Sequence, residues 1–209
     1  MNARHAALRA GLEALELLLP ADAQEKLLAY VDLLAKWNKT YNLTAIRDPD
    51  KMIGLHLLDS LAVLPHLPAG TLADVGSGGG LPGIPLAIAE PTRHVTLNDA
   101  NQKKAAFLQQ AIIELRLPNA DVHAGRVQAW RPARPFACVI TRGFAELAEF
   151  IANCRHLVAP GGVLAAMKGV LPTAELERVP AGVDCRDVRR LRVPRLDAER
   201  HLVLCRCAS

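Results

Sequence analysis

The sequence predicts an α/β fold, a doubly wound and mostly parallel sheet closed by an antiparallel C-terminal strand pair and preceded by an all-helical N-terminal cap. Three observations carry this reading. Apolar residues recur at helical spacing up to residue 64. After Pro68-Ala69-Gly70 the period changes, and short apolar runs alternate with helical segments, as in a parallel sheet built from strand and crossover helix. The last two strand-like runs flank the turn-rich stretch 194–199, which implies an antiparallel return.

In chain order, residues 3–18 repeat Leu and Ala at helical spacing up to Pro20. Asp22 stands before Leu27, Leu28, Val31, Leu34 and Ala35, with Glu25 at the capping-box position, so Asp22 is expected to cap a helix that ends within 37–40. A further helix over 49–64 has Asp48 as N-cap and Pro49 at its first position. It places Met52, Ile53, His56, Leu57, Ser60 and Leu61 on one face. Strand 71–75 runs into Gly76-Ser77-Gly78-Gly79-Gly80-Leu81-Pro82-Gly83, followed by an apolar helix over 84–89. Strand 93–98, amphipathic helix 102–115 and strands 120–124, 136–141 and 162–168 follow, and 183–193 with 201–207 form the closing pair. Residues 1–66 are thus expected to be a helical cap and 70–209 the sheet domain, joined as one compact unit. There is no internal repeat and no low-complexity segment.

The 209 residues are 51% hydrophobic and 22% charged, which excludes a disordered chain and suffices for a full core. A net charge of +4 is too mild to mark a nucleic-acid binder by itself. Its distribution is more informative: residues 1–150 carry 15 basic and 15 acidic side chains, whereas 151–209 carry 10 and 6. No signal peptide follows Met1 and no apolar stretch would span a bilayer. The five cysteines, Cys138, Cys154, Cys185, Cys205 and Cys207, are odd in number and contain no CxxC pair. They are expected to be apolar filler, with no disulfide framework and no metal site, in a reducing cytoplasm.

A glycine-rich turn between a strand and a helix is the standard cradle for a nucleotide or an anion, because the backbone can approach the ligand and the helix presents free amides. No Gly-Lys-Ser or Gly-Lys-Thr follows, which excludes a phosphate loop. Two readings survive. Gly78, Gly80 and Gly83 satisfy the GxGxxG of a dinucleotide fold, while Asp74-Val75-Gly76-Ser77-Gly78-Gly79-Gly80 matches the acidic-x-GxGxG loop of a Rossmann-like methyltransferase. Asp99 could take a ribose diol in either. The chain beyond the cap is short for a six-stranded dinucleotide domain with a separate substrate domain, which favours the methyltransferase.

With the loop from Asp74 to Pro85, four further blocks extend the comparison: Lys36-Trp37-Asn38-Lys39-Thr40-Tyr41-Asn42-Leu43-Thr44, His56-Leu57-Leu58-Asp59-Ser60, Thr141-Arg142-Gly143-Phe144-Ala145, and Glu199-Arg200-His201-Leu202-Val203. In order and spacing the chain resembles the RsmG (GidB) family over nearly its whole length. The resemblance implies a Rossmann-like class I methyltransferase sheet, S-adenosyl-L-methionine as cofactor, and methylation of N7 of one guanine in the 530 loop of bacterial 16S ribosomal RNA. It places the cofactor on Gly76, Leu81, Asp99, Val127, Gln128 and Arg142. Two positions depart from the family pattern: Gln128 stands where many members have Glu, and Gly143 where many have Ala. The glycine is expected to loosen the turn that aims Arg142 and Phe144.

Missing residues agree with this chemistry. Methyl transfer is an in-line displacement, and guanine N7 offers a lone pair with no proton to remove, so no general base is needed and no catalytic residue is assigned. Methylation of an exocyclic amine usually comes with an Asn/Asp-Pro-Pro-aromatic motif and methylation of pyrimidine carbon with a Cys nucleophile; the chain has neither Pro-Pro nor Pro-Cys.

Candidate contacts to RNA are His56 and Asp59, three apart on one helix, Arg142, Phe144 and Lys168 near strand ends, and Arg190 and Arg192 of the C-terminal run. Strand alternation would set Arg186, Arg190 and Arg192 on one side as a partial basic stripe, which a solvated edge strand would also display. Trp37 and Tyr41 read as core before they read as a base-stacking platform, and Lys103 and Lys104 as a solvated helix face. The expected partner is 16S ribosomal RNA or the small-subunit particle, bound by a monomer with no membrane contact. The competing readings are a small-molecule methyltransferase, an NAD-binding reductase, and a non-catalytic RNA-binding module.

Overall fold

The computed structural model describes residues 3–143 and 146–207. The sheet has seven strands: β1 Leu72–Val75, β2 Val95–Asp99, β3 Ala120–Ala124, β4 Phe136–Arg142, β5 Val158–Lys168, β6 Val183–Leu191 and β7 Arg200–Cys207. Their order is β3-β2-β1-β4-β5-β7-β6. The pairs among β1 to β5 are parallel, while β7 runs antiparallel to both β5 and β6. After β3 the chain returns to the other side of β1, so the winding reverses between β1 and β4. In open α/β sheets that reversal opens a crevice outside the C-terminal strand ends, where ligands bind.

The cap comprises α1 Ala3–Ala14, α2 Ala21–Tyr41, α3 Pro49–Met52, a π-helical run Ile53–Leu58 and α4 Asp59–Leu61. Beyond β1 come α5 Gly83–Ala89, α6 Gln102–Leu115, α7 Leu147–Cys154 and α8 Thr173–Leu176. One core cluster unites Leu27, Val31 and Leu34 of α2 with Leu72, Leu97 and Ile140 of the sheet and Phe107 of α6. The opposite sheet face packs Ala73, Val75, Val139 and Leu164 against Trp130, Phe150 and Ile151. Successive strand residues point to opposite faces, and both faces are covered, which is why β1 and β4 read as continuous apolar runs. The cap is thus part of the molecule's larger core.

Several expectations need correcting. Asp22 does not cap α2: the helix starts one residue earlier, behind Pro20 in extended conformation, with no side-chain cap, and Asp22 sits in the first turn facing the positive helix end. The first helix ends at Ala14, well before residue 18. Asp48 does cap the following helix, its side chain accepting from the Asp50 amide. That helix is not α-helical through 49–64, however, because the π-helical run interrupts it at Ile53–Leu58, a distortion that residue periodicity does not announce and that is frequent at functional sites. Asp99 is the last residue of β2 rather than the residue after it.

The C-terminal hairpin differs more. Cys185 and Cys205 face each other on β6 and β7 and are joined in a disulfide, so these two are not isolated filler. Cys138 and Cys154 are buried thiols, both pushed up to about 12 by burial. A register shift between Asp184 and Asp187 interrupts the alternation on which the basic stripe depends. Two of its three arginines are also ion-paired, Arg186 with Asp184 and Arg190 with Glu199, and on the same hairpin Arg189 and Arg206 both meet Asp187. Arg192 lies past the end of β6 and remains exposed.

One hydrogen bond ties the cap to the sheet domain's first loop. The fully buried Tyr30 hydroxyl, on α2, donates to the Gly79 carbonyl at 2.5 Å. Tyr30→Phe leaves that buried acceptor without a donor, which costs about 1–3 kcal/mol. Denaturant unfolding of the variant should show that loss; unchanged stability would mean that the contact contributes nothing net.

Candidate functional site

The glycine loop is held from below by two carboxylates. Asp74 lies inside β1, fully buried, and its Oδ2 accepts the Gly83 amide at 2.9 Å. Gly83 must lack a side chain, since a Cβ there would stand 2.7 Å from that same oxygen. Asp99, at the end of β2, accepts the Gly78 amide through Oδ2 at 2.9 Å and the Asn101 amide through Oδ1 at 2.8 Å. The loop closes on itself as well, Gly80 and Leu81 donating to the Ser77 carbonyl.

These bonds decide what the loop can hold. The Gly83 amide, at the start of α5, is directed at Asp74, and the Ile84 amide donates to the Gly80 carbonyl. A pyrophosphate cradle needs such amides free and tolerates no carboxylate among them. The dinucleotide reading of Gly78, Gly80 and Gly83 therefore loses its physical basis.

A cleft of about 790 Å³ opens beside the loop at the C-terminal ends of β1, β2 and β3. Its walls include Gly76, Asp99, Val127 and Gln128, together with Asn98, Lys104 and Arg126. Buried Asn98 fixes the far wall by donating to the carbonyls of His123 and Gly125. Four of the six residues expected around a cofactor thus come together. Leu81 is buried under the loop and does not line the cleft. Arg142 lies elsewhere.

A second cavity of about 560 Å³ is formed where the ends of β4 and β5 meet the cap. Here the structure brings together His56, Asp59, Arg142 and Lys168, joined by Thr44 and Arg200. Asp59 is 2% exposed and receives two guanidinium groups, Arg142 at 3.1 Å and Arg200 at 2.8 Å. Arg142 also donates to the Leu55 carbonyl inside the π-helical run. A buried carboxylate with two well-placed partners is strongly held, and removing it would strand two cations. Lys168 is ion-paired with Glu175 at 2.7 Å, and the same Glu175 oxygen accepts the Leu147 amide that opens α7.

Burial, then the Arg142 charge, lowers His56 to about 4, so its ring is neutral at ordinary pH. Its Nδ1 lies 2.8 Å from the Leu55 carbonyl and its Nε2 2.8 Å from the Thr44 hydroxyl. In the neutral ring Nδ1–H donates to Leu55, and Nε2 accepts from Thr44. Gly143 follows Arg142 at φ 84°, a left-handed turn that suits glycine, so this departure from the family pattern fits the backbone rather than loosening it. Phe144 lies outside the described residues. Arg190 and Arg192 line a separate hollow with Asp197 and Glu199, beside Arg200 of the second cavity and not within it.

Arg200 and Thr44 lay within sequence blocks already singled out, yet nothing in their spacing pointed to a shared cavity, because they are brought together across more than half the chain. Trp37 packs on Phe107 at 5.5 Å, in keeping with a core role, whereas Lys104 lines the cleft instead of a plain solvated face.

Comparison with known proteins gives the following. The family described as rRNA small subunit methyltransferase G matches residues 23–203. Ribosomal RNA small subunit methyltransferase G of Neisseria meningitidis serogroup A is 58% identical over 199 residues, covering 94% of this chain and 95% of that protein. Its namesake in Methylobacillus flagellatus is 55% identical over 196 residues, with the same coverage. Among solved structures, the complex of DhpI with SAH aligns over 88% of this chain and 96% of its own at TM-score 0.55 and 20% identity. The ribosomal protein L11 methylase of Lactobacillus delbrueckii subsp. bulgaricus aligns over 73% and 77% at TM-score 0.54 and 16% identity. At these identities the structural likeness shows the fold.

Asp74 yields a pH prediction. Burial pushes its carboxyl up to about 7, and its Oδ1 has no partner among the described residues. Between the unfolded value, near 4, and about 7 the folded protein keeps a proton that the unfolded chain has lost, so stability from this group falls as pH rises and is gone above about 7. Denaturant unfolding at pH 5 and pH 8 should show wild type losing more stability than Asp74→Asn over that interval. Equal pH dependence would contradict the assignment.

Proposed function

The chain belongs to the rRNA small subunit methyltransferase G family, and we infer from this premise that it transfers a methyl group from S-adenosyl-L-methionine to N7 of a guanine in the 530 loop of 16S ribosomal RNA. It is an S-adenosylmethionine-dependent rRNA methyltransferase with the Rossmann-like class I fold. The observation that carries the finer reading is the pairing of two cavities along one sheet edge: a cofactor cleft over β1 to β3, and a cation-lined chamber between β4, β5 and the cap. Small-subunit RNA or its particle is the substrate, the reaction is cytoplasmic, and one chain supplies both cavities, which suits a monomer. Among the described residues no helix is long and apolar enough to cross a membrane.

The cleft fits the cofactor on its own chemistry. Its glycine loop offers no phosphate cradle, and its one buried carboxylate, Asp99, keeps unused lone pairs on oxygens that already fix the loop. Gly76, Val127 and Gln128 would flank the nucleoside and Asp99 its ribose. When bound, S-adenosylmethionine supplies an electrophilic methyl group on a sulfonium.

The second chamber does the remaining work. Guanine N7 needs no base, so what this chain contributes is orientation and exclusion of water. The donors Arg142, Arg200 and Lys168 suit the O6 edge of a guanine, and guanidinium planes also accept a stacked base. Neutral His56 and Thr44, whose protons go to the Leu55 carbonyl and to His56 Nε2, form a fixed wall that leaves the lone pair of the nucleophile unprotonated. Asp59 acts through Arg142 and Arg200 as a positioning residue, holding both from beneath.

Labelled S-adenosylmethionine incubated with the protein and small-subunit particles or 16S rRNA should place label on guanine N7; label on another atom overturns the reading. In the same assay Asp59→Ala should lower kcat on the order of 10²-fold, the scale of a small misplacement of reacting groups. Calorimetry should show its affinity for S-adenosylhomocysteine retained. Loss of both together would make Asp59 a general structural support instead.

A further inference from the structure

We propose that the outer face of the cap, through Lys36, Lys39 and Arg47, grips the phosphate backbone of the RNA strand that carries the target base. This rests on the rRNA methyltransferase reading and adds a surface to it. Lys36 and Lys39 lie about one turn apart near the end of α2, both exposed, and with Arg47 they line a hollow of about 410 Å³. Two nearby acids, Asp32 and Asp50, are both directed at Arg4 and at none of these three. Asp32, in the same hollow, is held by Arg4 at 2.6 Å, and Arg4 also takes Asp50 at 2.9 Å. Lys36, Lys39 and Arg47 themselves form no ion pair among the described residues.

Arg47 is also held in place. Its guanidinium donates to the Asn38 carbonyl at 2.7 Å and to Asn42 Oδ1 at 2.6 Å, so binding an anion costs it little freedom. The hollow and the base chamber are two sides of one loop. Asn38, 1% exposed, donates to the Ile46 carbonyl at 3.0 Å and accepts the Thr44 amide at 2.9 Å, pinning residues 42–48 to α2. The inner side of that loop, Thr44, Ala45 and Ile46, lines the chamber, while Arg47 faces the hollow. A strand that delivers a base to the chamber therefore passes three exposed cations outside any ion pair among the described residues. The C-terminal hairpin offers less, since Arg186, Arg189, Arg190 and Arg206 already meet carboxylates within 3.7 Å.

Each phosphate contact releases counterions, so its loss flattens the salt dependence of binding. The double variant Lys36→Gln/Lys39→Gln should bind 16S rRNA about tenfold more weakly at low salt, with the log–log salt slope reduced by about two. Its affinity for S-adenosylhomocysteine should be unchanged, and Lys36→Arg/Lys39→Arg should keep both the affinity and the slope of wild type. If the glutamine pair binds RNA with wild-type affinity and slope while wild type methylates the same RNA, this surface is not the grip. An arginine pair as weak as the glutamine pair would also overturn it, because charge would then not be the cause. If wild type itself does not methylate 16S rRNA, the underlying reading fails first.

Discussion

Two buried carboxylates under one loop organise this protein. Asp74 takes the Gly83 amide and Asp99 takes the Gly78 amide, so the turn between β1 and α5 is shaped by bonds within the chain. The same bonds use up amides that a dinucleotide fold would offer to pyrophosphate. A loop that looks ambiguous as a glycine pattern becomes specific once its donors are counted. The cleft beside the loop follows from this shape and from the reversal of winding beside β1, which leaves the crevice open at the strand ends.

The cap is the second constraint. It shares a core with α5, α6 and the sheet, and it sends Tyr30 to the glycine loop and Asp59 to the arginines at the ends of β4 and β7. The glycine loop and the second cavity are thereby coupled through one helical layer. The π-helical run Ile53–Leu58 matters here, since it supplies both His56 and the Leu55 carbonyl that receives Arg142. Positioning rather than proton transfer is what such a scaffold provides, and attack by a guanine N7 asks for nothing more.

Much of this was legible in the residues. The parallel sheet and its antiparallel closing pair follow from alternating apolar runs and crossover helices, and Asp48-Pro49 announced its helix start correctly. Gly76, Asp99, Val127 and Gln128, which the family resemblance had put together, meet in one cleft because each ends or follows a strand. What stayed hidden depended on distant contacts. Arg142 sits at a strand end like the others, but Asp59 draws it toward the cap, and no local pattern encodes that pull. The hairpin arginines looked like a basic stripe because charge was counted without the neighbouring acids, and the Cys185–Cys205 bridge required the register of β6 and β7. The cap lysines drew no notice because the partners of the acids around them, Asp32 and Asp50 with Arg4, come from another helix.

The central claim is that the glycine loop is built by its own carboxylates. Amide hydrogen exchange at Gly78 and Gly83, followed by NMR in the free protein, tests it directly. Both amides should be protected without cofactor, because each is hydrogen-bonded to a carboxylate that is itself mostly or wholly buried. Free exchange at both sites, slowed only when S-adenosylhomocysteine is added, would show that the ligand rather than Asp74 and Asp99 shapes the loop.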